Sequence, residues 1–323
     1  MKFQYLGTAA AEGFPGMFCS CDTCEKARKA GGRNIRTRSQ AVIDDCLLID
    51  FPADTYHHIL ANGLKLQKIQ HCIITHSHSD HFYPADFEMC GVGFAHFKSS
   101  FKFNVYGGKD VYEKTKSAVD EYSLNNEERV VPHLIKPFET FTAGGYSITP
   151  LPADHDPATS PVIYAISDKT SSMLYAHDTG MLKAEAWEWL KESRLHFSFV
   201  SLDCTAGLLT GWKNGHLGLD TCCEFAEMLK AARVADSSTM FCLNHFSHNC
   251  LADYDDIIPY AAKYGFDFIR AGRGAHSVRH GKAPPAVGRR GFPFMRGRSR
   301  RPSGRRLRRG RCRSGAGARR ARR

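Results

Sequence analysis

An α/β layered fold with a ligand site at one sheet edge is the architecture this sequence predicts, and three observations carry that expectation. Short apolar runs alternate with segments of helical period as far as about residue 264. Several of those runs end in histidine or aspartate, which places ligand-type side chains at strand ends, where open α/β sheets gather their sites. The densest ending is Thr75-His76-Ser77-His78-Ser79-Asp80-His81, which puts three imidazoles and a carboxylate within six residues directly after the apolar run 69–74.

That stretch reads as a metal site in want of further ligands. A buried strand that ends at Thr75 hands over to a loop, so side chains at 76, 78, 80 and 81 converge on one point instead of alternating across a sheet. Neutral imidazole and carboxylate are ligands that zinc, manganese and iron share. Packed this tightly they repel or desolvate one another without a cation. A solvated polar loop has no need of the spacing.

Residues 2–6 predict a first strand and 7–13 a small-residue loop. Cys19-Ser20-Cys21-Asp22-Thr23-Cys24 offers three thiols in six residues, ahead of a short basic helix. Three thiolates can wrap one tetrahedral zinc with its fourth position left to a residue elsewhere; the alternative is a set of reduced, partly buried cysteines. Residues 40–51 predict a hairpin turning at Asp44-Asp45. Asp54 caps a short helix ending at Asn62-Gly63, on which His57 and His58 read as surface or packing residues.

After the central motif, residues 82–90 read as helical, 101–106 as a strand stopped by Gly107-Gly108, and 109–122 as an amphipathic helix. Strands lie on either side of Gly144-Gly145 and lead into Leu151-Pro152-Ala153-Asp154-His155-Asp156, where His155 is a candidate ligand. A hairpin over 162–167 and 173–176 runs out into His177-Asp178-Thr179-Gly180. An aspartate there can bridge two cations through its two oxygens, with His177 as a neighbour. Next come a helix over 183–193 and a strand over 196–202 that ends at Asp203-Cys204. A Gly-rich loop leads to His216, then a helix over 219–234. The strand 239–243 ends in Asn244-His245-Phe246-Ser247-His248, and a last helix runs over about 252–264.

The net charge of +11 misleads. Of 44 basic and 33 acidic side chains, residues 271–323 hold 19 basic and no acidic ones, which leaves 25 basic against 33 acidic before them, a net of −8. The body that carries the motif is therefore acidic, and a nucleic-acid patch is not a property of it. Gly7 interrupts the opening apolar residues too early for a signal peptide, and no eighteen apolar residues run together, so the chain is expected to be cytosolic and soluble. Its twelve cysteines then read as thiols and metal ligands before disulfides.

H-x-H-x-D-H after a buried strand resembles the signature of the metallo-β-lactamase superfamily, which implies an αββα sandwich with two metal ions at one sheet edge. Within it the chain is most similar to the phosphoribosyl cyclic phosphodiesterases of bacterial phosphonate breakdown, the PhnP type. The likeness spans roughly residues 3–268 and rests on G-T-A-A-A-E-G followed by C-S-C-D-T-C, T-H-S-H-S-D-H, P-L-P-A-D-H and N-H-F-S-H.

By that resemblance His76, His78 and His155 hold one divalent ion, Asp80, His81 and His245 the other, and Asp178 bridges them, the ions being manganese or zinc. Cys19, Cys21, Cys24 and His248 form a separate structural zinc site. His216 and Asp80 take the catalytic roles. The implied reaction opens a small cyclic phosphodiester, a phosphoribosyl 1,2-cyclic phosphate, by attack of a metal-bridging hydroxide on phosphorus, with His216 protonating the leaving oxygen. Without the resemblance His216 reads as a solvent-partnered loop histidine. Two other classes stay open, an RNA-processing nuclease of the same superfamily and a non-catalytic metal-binding relative. A small phosphodiester is the expected partner, a homodimer is compatible with the sequence, and no membrane is implied.

The expected domains are 1–268 for the hydrolase and 269–323 for a disordered Arg/Gly/Pro tail that cannot bury enough surface to fold. The tail is either a genuine nucleic-acid or membrane-surface segment or the product of a shifted reading frame, in which case a closing strand is missing.

Overall fold

The computed structural model describes residues 1–124, 129–263, 265–268 and 277–279. Two seven-stranded sheets face each other. The first takes β1 (Lys2–Gly7), β2 (Gln40–Ile43), β3 (Leu47–Ile49), β4 (His71–Ile73), β5 (Phe103–Gly107) and β6 (Val130–Leu134) in sequence order. Its pairs are antiparallel from β1 to β3 and parallel from β3 to β6. The second takes β7 (Phe141–Ala143), β8 (Tyr146–Pro152), β9 (Val162–Ser167), β10 (Ser172–Ala176), β11 (Phe199–Asp203), β12 (Met240–Asn244) and β13 (Asp267–Phe268). It too is antiparallel first and parallel from β10 onward. A last strand, β14 (Ser277–Arg279), pairs antiparallel with β1 at the edge of the first sheet.

Strand alternation sorts the core into layers. Phe3, Tyr5, Leu47 and Ile49 meet Tyr164, Ile166, Met173 and Tyr175 between the sheets, while Leu48 and Leu174, one residue out of phase, face outward. The helices α1 (Asp22–Ala30), α2 (Thr55–Asn62), α3 (Lys109–Glu121), α4 (Ala184–Glu192), α5 (Leu219–Ala231) and α6 (Tyr254–Lys263) join the strands. On the second sheet's outer face α4, α5 and α6 cover Leu174, Val200 and Leu243, with Leu219, Cys222, Phe225, Ala226 and Leu229 at helical spacing on the buried side of α5. On the first sheet's outer face Val111, Ala118 and Val119 of α3 pack over Leu48, Cys72 and Val105. The product is the expected αββα sandwich.

Two expectations are refined. The helical segment expected over 82–90 is a 3₁₀ helix, Pro84–Cys90: only Phe87 of the seven is buried, so no apolar stripe of period 3.6 holds the segment to the sheet. Part of the stretch read as unable to fold supplies β14, whose pairing to β1 needs main-chain groups and no apolar side chain. The rest of the expected tail lies outside the described residues.

Candidate metal centre

The parallel strands deliver the site. β4 ends at Ile73, and Asp50, just past β3, anchors the loop that leaves it: Asp50 Oδ1 accepts from Thr75 N (2.8 Å) and Thr75 Oγ1 (2.9 Å). The next turn is closed by His81 N and Phe82 N donating to His78 O (3.0 and 2.7 Å). From the second sheet, β10 leads to Asp178, β11 ends at Asp203 and β12 leads to His245. Asp50, Asp178 and His245 adopt positive φ (66°, 51° and 60°). Such backbone turns the chain sharply at a strand end and is concentrated where function requires it.

The seven predicted dinuclear ligands fall into two groups that share Asp178: His76, His78, His155 and Asp178, and Asp80, His81, Asp178 and His245, with the ligand atoms of each group within 4.8 Å of one another. Asp178 Oδ2 lies 3.2 Å from His76 Nε2, 3.0 Å from His81 Nε2 and 3.8 Å from His155 Nε2, and its Oδ1 lies 2.9 Å from His245 Nδ1.

The residues fit a pair of cations. Outer partners occupy one nitrogen of several rings: His81 Nδ1 donates to Asp50 Oδ2 (2.8 Å), His78 Nε2 to Asp156 Oδ2 (3.2 Å) and His155 Nδ1 to Gly215 O (3.2 Å). That fixes tautomers in which the inward nitrogens carry lone pairs. These nitrogens face one another, His78 Nδ1 at 2.9 Å from His76 Nε2 and 3.3 Å from His155 Nε2, and His81 Nε2 at 3.2 Å from His245 Nε2. Lone pairs so close need a shared positive charge. Asp178 Oδ1 is buried, and although His245 Nδ1 lies 2.9 Å away no donor is aligned on it, a costly state for a carboxylate oxygen unless a cation meets it.

The electrostatics agree. Burial, with the neighbouring His81, pushes His76 down to about 4, which keeps it a neutral ligand. Burial would lower His81 as well, but Asp178, Asp80 and Asp50 outweigh it and hold its pKa well above the ordinary value; the same negative field favours a bound cation. Asp178 remains a carboxylate because His245 and His81 outweigh the cost of its burial.

Cys19, Cys21, Cys24 and His248 also come together. Cys19 Sγ and Cys21 Sγ lie 3.6 and 3.7 Å from His248 Nδ1, and Cys24 Sγ, which accepts from Gly16 N (3.2 Å), completes a group within 4.8 Å. A backbone donor, first of all that of Cys24, lowers Cys21 to about 6, toward the thiolate that zinc takes.

His216 lies beside the centre. Its Nδ1 donates to Asp203 Oδ2 (2.9 Å), and fully buried Asp203 also accepts from Asp178 N, Thr205 N and Leu217 N. Burial alone would lower His216, but Asp203 overrides it and raises the ring to about 9. Its ligand atom is also within reach of Asp178, Asp203 and His245, so the geometry permits a third metal group there.

His177 is a neighbour, held between Ser201 Oγ (2.6 Å) and Ser39 Oγ (3.3 Å). His58 packs between Gln40 and Thr37, and His57 is exposed. Sequence reasoning missed Asp50, Asp156 and Thr205, whose Oγ1 lies 2.8 Å from His245 Nδ1, and saw Asp203 only as a strand end. Their one available signal is an oxygen-bearing side chain at or just past an apolar run. Among the described residues no helix is long and apolar enough to cross a membrane.

Comparison with known proteins places this geometry. The chain is 27% identical over 156 residues to Ribonuclease Z of Picosynechococcus sp., a match covering 48% of this chain and 44% of that protein, so it spans under half of that curated relative's length. Among solved structures it is similar to a diphosphatase from the PhnP family (TM-score 0.63, 20% identity, 86% of this chain and 98% of that one). It is equally similar to Zn(2+)-bound PqqB from Methylobacterium extorquens (TM-score 0.63, 18% identity, 86% and 100%). The short form of human tRNase Z is a more distant match (TM-score 0.54, 17% identity, 78% and 96%). Residues 45–235, more than half of the chain, match the family model of the beta-lactamase superfamily domain, and with the His/Asp centre at its sheet edge the chain belongs to that superfamily.

Proposed function

We propose that the protein is a phosphodiesterase that opens a small cyclic phosphodiester, and that the two groups around Asp178 each hold one divalent ion, manganese or zinc. The observation that carries this reading is the shared carboxylate: one buried aspartate serves two complete ligand sets, and no hydrogen-bond donor is aligned on one of its oxygens. Two ions in such a site neutralise phosphate oxygens and activate water at neutral pH. The remaining work belongs to side chains of this chain. Asp50 and Asp156 aim His81 and His78. Asp203 holds His216 by Nδ1, which leaves Nε2 to deliver a proton to the departing oxygen, and His216 lines the same cleft as Asp80 and Asp178. Cys19, Cys21, Cys24 and His248 hold a structural zinc. The phosphoribosyl 1,2-cyclic phosphate implied by the sequence is one candidate ester.

The stretch similar to Ribonuclease Z favours a second reading, RNA cleavage. An acidic body and a cleft with no Lys or Arg among its described lining residues weigh against it. Turnover by the metal-loaded full chain of cyclic phosphodiesters, phosphomonoesters, lactones and RNA tests the assignment. Cyclic phosphodiesters should be hydrolysed fastest, and preferential cleavage of RNA would replace this reading with the nuclease.

A further inference from the structure

The cleft at the two ligand groups has a volume of about 550 Å³, and its lining is of two kinds. One part is His78, Asp80, His155 and Asp178 of the ligand groups. The other includes Ala10, Ala11, Ala206, Leu209 and Trp212, with Glu12 as the acidic member outside the ligand groups. Lys213, next to Trp212, does not supply a cation to this wall, because its Nζ pairs with both oxygens of Glu224 (2.9 and 2.7 Å).

Trp212 differs from the other two tryptophans. Trp187 is buried with its ring 5.0 Å from Phe225, and Trp189 packs against the same core, whereas Trp212 belongs to no core cluster and stands 48% exposed on the cleft wall. Its backbone is nonetheless pinned. Thr221 Oγ1 donates to Trp212 O (2.7 Å), Gly211 N to Asp220 Oδ2 (2.8 Å) and Met181 N to Lys213 O (2.8 Å). An indole held on a fixed strap, half open to a cleft and flanked by exposed Leu209, is a stacking platform for a planar group. Glu12 is fixed too, accepting from Ser247 Oγ and from Asn249 Nδ2 (3.4 Å), so its negative charge stays on the wall.

Resting on the phosphodiesterase reading, we propose that this cleft selects esters whose alcohol portion carries a neutral planar group stacked on Trp212, and selects against a second phosphate, which would face Glu12 with no Lys or Arg among the described lining residues to meet it. Trp212 and Glu12 are then specificity-determining residues. An unadorned nucleoside cyclic phosphate satisfies both conditions, and a sugar cyclic phosphate bearing a further phosphate satisfies neither.

Equilibrium titration of the manganese-loaded full chain with adenosine 3′-phosphate, ribose 5-phosphate and adenosine 3′,5′-bisphosphate tests the proposal without turnover. The base should tighten binding roughly 10- to 100-fold over the sugar phosphate, the range that one stacked base provides. Trp212→Ala should remove that gap and leave ribose 5-phosphate unchanged, and Trp212→Phe should retain most of it. The bisphosphate should bind more weakly than the monophosphate, with Glu12→Gln narrowing the difference. Tighter binding of the bisphosphate, a gap that survives in Trp212→Ala, or no measurable binding of any of the three overturns the proposal. Hydrolysis of adenosine 2′,3′-cyclic phosphate measured on the same samples separates the claims: Trp212-dependent binding with no hydrolysis of any phosphodiester leaves the selectivity standing and removes the phosphodiesterase reading.

Discussion

His216 and Asp178 both touch the centre, yet their removal should look different. His216 is tied to Asp203 and stands outside the two groups around Asp178, so His216→Ala should keep its metal. On an alkyl-type cyclic ester it should lose roughly 10²- to 10⁴-fold in rate, the usual worth of general acid catalysis. A nitrophenyl diester, whose leaving group needs no proton, should lose far less; equal losses on both esters would mean that the ring positions substrate instead. Asp178→Ala should lose metal and both activities together. Asp50 calls for a third pattern. It touches His81 and Thr75 but belongs to none of the ligand groups, so Asp50→Ala should leave the fold assembled and weaken metal retention about 10- to 100-fold, as loss of an outer partner does elsewhere. Competition with a chelator while the metal is titrated reads that shift, and unchanged affinity would deny Asp50 this role.

The segment after β12 joins two clusters in four residues, since His245 belongs to a group that shares Asp178 and His248 to the thiol group. Glu12 braces the same segment, with Ser247 Oγ donating to it and His248 Nε2 3.5 Å away. Loss of the structural zinc should therefore reach the active centre. Cys24→Ser should lower metal content from close to three ions per chain to two, lower the melting temperature, and reduce turnover even with the dinuclear ions replaced. Full activity in a zinc-free, well-folded Cys24→Ser protein would remove the structural site. Legibility in the sequence at this scale depends on distance along the chain. His76, His78, Asp80 and His81 announce themselves because four ligands crowd one loop. Asp178, His155 and His245 are single residues at strand ends that only a family resemblance marks out. Asp50 acts on His81, 31 residues away, and Asp203 on His216, 13 away, through hydrogen bonds across strand ends. Nothing in either one's local sequence separates it from an ordinary polar residue closing a strand. The sheets were legible because short apolar runs mark even three-residue strands such as β3 and β4, whereas Pro84–Cys90, with only Phe87 buried, offers no periodic stripe to tell a 3₁₀ from an α-helix.

At the scale of the whole molecule charge and chemistry are segregated along the chain. Residues 1–270 carry 25 basic and 33 acidic side chains, the remaining residues carry 19 basic ones with no acid, and the cleft wall contains no Lys or Arg among its described residues. Any affinity of the full chain for RNA should then come from the basic segment, and should fall steeply as salt rises, because binding of that kind is driven by release of counterions from the phosphate backbone. The first compact unit runs to Gly281 and contains both metal groups and β14, so the cut that tests this belongs after Gly281; a cut at Phe268 would also remove the strand that covers the edge of β1. Truncation after Gly281 should leave turnover of a small phosphodiester within about twofold of the full chain, since every described lining residue of the cleft is retained. It should abolish salt-sensitive RNA binding in a filter or polarisation assay. If the truncated protein still cleaves RNA, and does so at high salt, the acidic body itself recognises nucleic acid through contacts other than phosphate neutralisation, and the nuclease reading takes the place of the small-ester one.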